Sequence, residues 1–166
     1  MSDFIALTKP RVMSLLIVSA IAGAFLGAGS TPTFTVIVAV LVGGALASGG
    51  AASLNMAYES ELDRQMGRTK NRPVAEGRIS ARSAVLFGIA LNVAAFIVLV
   101  LLTNVLAASL ALAGTALYFG LYTVILKRTT TQNIVVGGAA GAVPPLVGYA
   151  AAAGTVDLSA WYLFVI

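Results

Sequence analysis

Residues 12–58 pass without a single Asp, Glu, Lys or Arg, an uncharged run of 47 residues, and two more follow: 44 residues over 83–126 and 28 over 129–156. Crossing the roughly 30 Å hydrocarbon core of a bilayer takes about 20 apolar residues of helix. The first two runs therefore hold two spans each and the third holds one. Turn formers mark the breaks at Gly29-Ser30-Thr31-Pro32 and Thr103-Asn104. Five spans are expected, near 12–29, 34–57, 83–102, 105–126 and 133–153, and residues 161–166 read as the start of a sixth. Backbone polar groups in lipid must be satisfied internally, which makes helices the spanning elements. The expected fold is an all-α, polytopic membrane helical bundle forming one membrane domain over residues 1–166, with the lipid bilayer as its first partner.

Composition narrows the chemistry. Hydrophobic residues make up 59% of the chain and charged ones 10%, against roughly a quarter charged in soluble domains; the mean hydropathy is +0.97. Such a chain is neither disordered nor built to bind nucleic acid, because 10 Lys and Arg are too few to track a polyanion. With no Cys and no His, the segment has no disulfides, thiol nucleophiles, Cys/His zinc sites, imidazole bases or imidazole-ligated haem. Residues 1–11 carry Asp3, Lys9 and Arg11 but no cleavable-signal pattern.

Alternating the five spans puts Lys9 and Arg11, then Arg64, Arg68, Lys70, Arg72, Arg78 and Arg82, then Lys127 and Arg128, on one face of the membrane. All the basic residues agree. The positive-inside rule makes that face cytoplasmic, which predicts a multi-pass protein of the plasma or inner membrane with its N-terminus and its 58–82 loop inside. The other face keeps short links around 29–33, 103–104 and 154–157, with little room for chemistry. Small-residue runs at 43–53 and 137–142 predict close helix packing, and Pro144-Pro145 predicts a kink or break in the fifth span. Such a break is tolerated at membrane depth where it is buried or lines a cavity. Asn92 reads as a helix–helix hydrogen bond, Asn133 as a helix N-cap, and Trp161 and Tyr162 as interfacial anchors.

Asn55, Glu59 and Asp63 stand at i, i+4 and i+8 where the second span meets the basic loop. If the helix continues through them, each step drifts about 40° and the three share a face along about 12 Å. One ion cannot touch every rung. A diphosphate bridged by Mg²⁺ can, since Mg²⁺ is commonly held by one or two carboxylates plus substrate phosphates. Glu61 lies about 240° round the helix from Asn55 and points elsewhere. Arg64, Arg68, Lys70 and Arg72 follow closely, and a guanidinium grips phosphate oxygens through two parallel hydrogen bonds. A carboxylate near the bilayer interior costs on the order of 2.5–3.5 kcal/mol, which favours a functional reading. The same charges also suit a solvated helix end and a loop drawn to anionic headgroups, a description that leaves the Asn/Glu/Asp spacing unused.

Asn55-x-x-x-Glu59-x-x-x-Asp63 followed by Arg68-Thr69-x-x-Arg72-Pro73 resembles the first signature of the UbiA-type intramembrane prenyltransferases. Leu7-Thr8-Lys9-Pro10-Arg11-Val12, Leu121-Tyr122-Thr123 with Lys127-Arg128, Asn133-Ile134-Val135, Gly137-Gly138-Ala139-Ala140-Gly141-Ala142 and Pro144-Pro145-Leu146-Val147-Gly148-Tyr149 are similar to its haem-farnesylating branch. The resemblance runs along nearly the whole chain. It implies transfer of farnesyl from farnesyl diphosphate to a vinyl group of haem b, giving haem O, with haem b as substrate and Mg²⁺ as cofactor. It makes Asn55, Glu59 and Asp63 the catalytic and metal-holding residues and Arg68 and Arg72 the first diphosphate ligands, with Lys9, Arg11, Lys70 and Lys127 as further candidates. Tyr118, Tyr122, Tyr149 or a Met could approach the porphyrin, but ordinary packing is the stronger reading of each. Downstream haem-modifying or terminal-oxidase assembly proteins are the implied partners. Glu59 stands where the family usually carries Asp, one methylene shorter. The resemblance further implies that residues 1–166 correspond to the N-terminal part of such an enzyme, whose second acidic motif lies past Ile166. Two alternatives stay open: the same transfer onto a quinone precursor, chlorin or lipid, and a transporter-like bundle whose broken fifth helix lines a path.

Overall fold

The computed structural model describes residues 3–129 and 133–165. Among them there is no strand, and five helical segments are long and apolar enough to cross a membrane: Pro10–Ala28, Phe34–Tyr58, Ala81–Leu102, Val105–Leu126 and Asn133–Ala153. In chain order the helices are α1 (Asp3–Leu7), α2 (Pro10–Ala28), α3 (Phe34–Tyr58), α4 (Ser60–Gln65), α5 (Ala81–Leu102), α6 (Val105–Thr115), α7 (Lys127–Thr129), α8 (Asn133–Gly141), α9 (Val143–Ala153) and α10 (Leu158–Val165). A π-helical segment, Ala116–Leu126, joins α6 to α7.

Local chemistry sets the ends. Side-chain oxygens of Thr33, Ser80 and Asn104 accept the backbone N–H of Val36, Ser83 and Ala107, capping α3, α5 and α6. Gly29 and Gly154 terminate α2 and α9 in the left-handed conformation, which costs glycine little. In the fifth span the expected break falls at Ala142, and Pro144 and Pro145 sit in the first turn of α9, where a missing N–H loses no helical bond. The π-helical half of the fourth span was not legible in its hydrophobic pattern. Its wider turn is visible in the Thr123 hydroxyl, which donates to the Tyr118 carbonyl five residues back at 2.9 Å.

One expectation needs correction. The second helix does not run unbroken through Asn55, Glu59 and Asp63: α3 ends at Tyr58, and Glu59 (φ −88°, ψ 3°) is the joint to α4. The rungs still keep their register, because Glu59 N–H donates to Asn55 O at 3.0 Å and Asp63 N–H to Glu59 O at 2.8 Å.

Small residues bring helix pairs together, though not all where expected. At Gly50, in α3, a Cβ would lie 2.7 Å from the Gly88 carbonyl of α5, and at Gly148, in α9, it would lie 1.7 Å from the Ala20 carbonyl of α2. In the run 137–142 the picture is mixed: Gly137 closes on the Tyr122 ring, where a Cβ would lie 2.7 Å away, while Gly138 and Gly141 have open space at their Cα. Asn92 joins α5 to α6: it donates to the Gly88 carbonyl at 2.9 Å and accepts the Thr115 hydroxyl at 2.8 Å. α8 begins at Asn133, and residues 130–132 before it lie outside the described residues. Trp161 and Tyr162 are exposed on α10.

The loop between α4 and α5 is more than a charged strap. Val74 and Ile79 are buried with Leu7 of α1, Met56 and Ala57 of α3 and Ala84 of α5, a second small core beneath the charged rim. This apolar anchor, with Arg64 Nε donating to the Ala75 carbonyl at 2.9 Å, folds the loop back over the end of α3.

Candidate functional site

Asn55, Glu59 and Asp63 are 3%, 6% and 3% exposed. Polar groups so placed need partners, and burying an unpaired carboxylate is costly. Each rung has one. Lys9 Nζ donates to Asn55 Oδ1 at 2.8 Å. Lys127 Nζ donates to Glu59 Oε1. Arg72 Nη1 donates to both Asp63 oxygens, at 2.8 and 2.7 Å.

Three different elements deliver the cations. Lys9 sits in the turn from α1 to α2 with φ 49°, the one non-glycine residue of positive φ among the described residues. Leu7, fully buried, pins one side of that turn and Pro10 opens α2 on the other. Strain of this kind persists where the surroundings over-determine it. Arg72 comes from the anchored loop, and Lys127 from the end of the π-helical segment. Asn55 Nδ2 also donates to the buried Thr123 hydroxyl at 3.3 Å. Thr123 and Lys127, four residues apart, thus face Asn55 and Glu59, also four apart.

Two carboxylates meet three cations here, leaving the ladder with one excess positive charge. Burial, and next the positive charge of Arg72, push the Lys9 ammonium from 10.5 down to about 8, with Glu59 and Asp63 pulling the other way. The remaining candidates lie apart. Arg11, Arg68 and Lys70 are exposed, and their side chains make no hydrogen bond or ion pair with the described residues. The resemblance ranked Arg68 above Lys9 and Lys127; the structure puts Lys9 and Lys127 on the ladder and leaves Arg68 at the surface. Thr123 stands in the sequence only as part of the Leu121-Tyr122-Thr123 motif and not as a candidate site residue. The i, i+4 spacing of Thr123 and Lys127, matching that of Asn55 and Glu59, was the available signal.

Beside the ladder lies a cavity of about 250 Å³. Lys9, Thr8 and Tyr118 mark its polar mouth, and its walls are small or apolar residues of α2, α3, α6, α8 and α9, among them Ala20, Val40, Gly44, Gly141 and Val147. Of the open glycines of the fifth span, Gly141 thus serves a hollow. Tyr118 stacks on Tyr122 with ring centroids 5.9 Å apart, and the Tyr122 ring rests against Gly137.

The donor set suits a hard cation: two carboxylates and an amide oxygen, with no sulfur or imidazole. Among the described residues no group of three or more His, Cys, Asp or Glu gathers to hold a metal alone. A metal held there would need further oxygens from a ligand or water, the kind of partial shell in which Mg²⁺ is commonly bound.

Comparison with known proteins agrees with this architecture. Proteins named protoheme IX farnesyltransferase from Chloroflexus aurantiacus, Thermus thermophilus and Trichodesmium erythraeum are 48%, 50% and 46% identical over 99%, 98% and 99% of this chain. The chain spans 28%, 27% and 50% of their lengths, half or less of each of these three relatives. A solved structure of a UbiA homolog from Archaeoglobus fulgidus bound to GPP and Mg²⁺ superposes with a TM-score of 0.76 over 98% of this chain and 59% of that one; at 17% identity the likeness is one of fold. The UbiA prenyltransferase family matches residues 16–166. The chain belongs to that family.

Proposed function

We propose that this chain supplies the diphosphate end of an intramembrane prenyltransferase that moves farnesyl from farnesyl diphosphate to a vinyl group of haem b, giving haem O. The observation that carries the reading is the ladder itself: Asn55, Glu59 and Asp63 are buried side by side, opposed by Lys9, Lys127 and Arg72, at the mouth of an apolar cavity. The names of the relatives support the choice of substrates.

In the reaction the C1–O bond of farnesyl diphosphate breaks and its electron pair leaves with the diphosphate. C1 bonds to the terminal vinyl carbon; water adds to the other vinyl carbon and gives up a proton, leaving a hydroxyethylfarnesyl side chain. Negative charge grows on the leaving group, so fixed positive charge there lowers the barrier. Lys9, Arg72 and Lys127 provide it at the ladder, each already oriented by a ladder oxygen. Asn55, Glu59 and Asp63 would hold Mg²⁺, which as a Lewis acid supplies further stabilisation of the departing diphosphate. The cavity takes the prenyl chain and keeps water from the allylic cation until carbon has attacked. The charged rim faces the cytoplasm in this reading.

Labelled farnesyl diphosphate, haem b and the whole protein in membranes should yield haem O, and EDTA should abolish the yield. Prenylation of 4-hydroxybenzoate but never of haem b would replace the acceptor, and a yield indifferent to both EDTA and Asp63→Ala would overturn the site. Residues 1–166 contain no Cys, so single cysteines introduced among them, each compared with the unaltered protein, report orientation. Arg68→Cys should react from the cytoplasmic side and Ser30→Cys from the opposite one.

A further inference from the structure

The cavity has a measurable depth along α3. Of its lining residues, Val40, Gly44, Ser48 and Ala52 lie at successive i, i+4 steps on one face of that helix. Ala52 marks the head, one turn below Asn55. At 1.5 Å per residue Gly44 lies about 12 Å and Val40 about 18 Å deeper. An extended chain advances 3.3–3.6 Å per three bonds, about 1.2 Å per bond, so a four-bond isoprene unit is about 5 Å long. Two units, about 10 Å, stop short of Gly44; three, about 15 Å, pass it and stop before Val40; four reach Val40.

Gly44 is open where Val40 is closed. A Cβ built at Gly44 would meet only Ile17 Cγ1, at 4.0 Å, so a larger side chain there fits the fold and grows into the hollow. Val40 is fully buried and packs in the main core with Ala20 and Val147. The geometry points to Gly44 and Val40 as the residues that set prenyl-chain length: Gly44 admits the third isoprene unit, and Val40 refuses the fourth. This deepens the proposed function and rests on it.

The test is binding of geranyl, farnesyl and geranylgeranyl diphosphate, with Mg²⁺, to the whole protein in lipid nanodiscs. Farnesyl should bind the unaltered protein about tenfold or more tighter than geranyl, since a third unit buries several more carbons, and geranylgeranyl no tighter than farnesyl. Gly44→Leu should bring farnesyl down to the geranyl level and leave geranyl unchanged, which also shows that the variant is folded. Gly44→Ala should fall between. Val40→Ala acts in the other direction, raising geranylgeranyl several-fold relative to farnesyl. Parallel shifts for all three ligands in both Gly44→Leu and Val40→Ala would overturn the assignment of length. If the unaltered protein binds none of the three, nor inorganic diphosphate, the proposed function fails; Mg²⁺-dependent binding with a flat length profile sinks the length determinants alone.

Discussion

The charged rim and the opposite face close the same five spans, but they satisfy polar groups in different ways. On the far face one side-chain bond is long-range, from Asn104 Nδ2 to the Ala150 carbonyl 46 positions on, and the other partners are close in sequence. Asn104 accepts from Ala107 N–H, and Asp157 accepts from Ser159 N–H and Ala160 N–H at 2.9 and 3.2 Å and from the Tyr149 hydroxyl at 2.7 Å. At the rim the chain reaches across itself: Lys9 to Asn55 spans 46 positions, and Asn55–Thr123 and Glu59–Lys127 span 68 each. Turning a chain at a membrane surface requires none of these. Two carboxylates buried there cost free energy that glycines and caps on the other side avoid, so the rim's arrangement points to a use beyond folding. The repeated separation of 68 further shows that α3 and the fourth span run in the same direction, in a register held at two successive turns.

The sharpest way to break this contrast is one carboxylate on each face. Asp63→Asn removes a ladder charge while keeping its shape, and farnesyl transfer should fall by roughly 10²–10³, the scale of losing one transition-state electrostatic partner. Asp157→Asn should leave transfer within about twofold. Equal losses, measured as haem O formed per molecule, would erase the distinction between the faces. Next in size is Arg72→Met. It strands Asp63, whose side chain is 4% exposed, without its guanidinium. Breaking a buried pair costs about 3–5 kcal/mol; with Arg72 itself 24% exposed, roughly 2–3 kcal/mol is expected in detergent unfolding. Arg68→Met, at an exposed position, should cost less than about 0.5 kcal/mol.

The same contrast explains what was legible beforehand. Charge spacing located all five spans to within two residues of their helical ends, because the requirement for continuous apolar length is local. The break near Pro144 was legible for that reason too. The ladder was visible as spacing, but its partners were not: Lys9, Thr123 and Lys127 meet it through helix register and a π-helical turn, which no single segment encodes. Arg68 looked favourable by proximity in sequence and remains at the surface, since the loop's anchors, Val74 and Ile79, present Arg72 instead. The cavity was hidden likewise. Gly137, Ala140 and Gly141 resemble packing residues in sequence, and only the offset between α8 and α9 turns them into a wall.

Lys9 sharpens the comparison through pH. Its ammonium, held down to about 8, is charged below that value and able to grip a diphosphate. As pH rises through about 8 the site loses that proton, and binding an anion must take it back up. Affinity for inorganic diphosphate should therefore fall by up to about tenfold per pH unit above 8. Lys9→Arg keeps its charge and should flatten the profile; Lys9→Met should be flat and weaker throughout. A decline in Lys9→Arg as steep as in the unaltered protein would assign the titration to another group.

The smallest expected effect is on the far face, in acid. The Tyr149 hydroxyl first, and the Ala160 N–H next, hold the Asp157 carboxyl below its ordinary 3.8. A depressed carboxylate pKa contributes stability that is complete above the ordinary value and is lost as pH falls through the lowered one. Melting curves of the unaltered protein and Asp157→Asn should therefore run parallel from pH 7 to about 5 and converge below about 4, as the unaltered protein loses a contribution the variant never had. Because the group is exposed and its partners are local, this change should be smaller than that of Arg72→Met. A larger one would mean that the far face, too, depends on a charge for more than its turn.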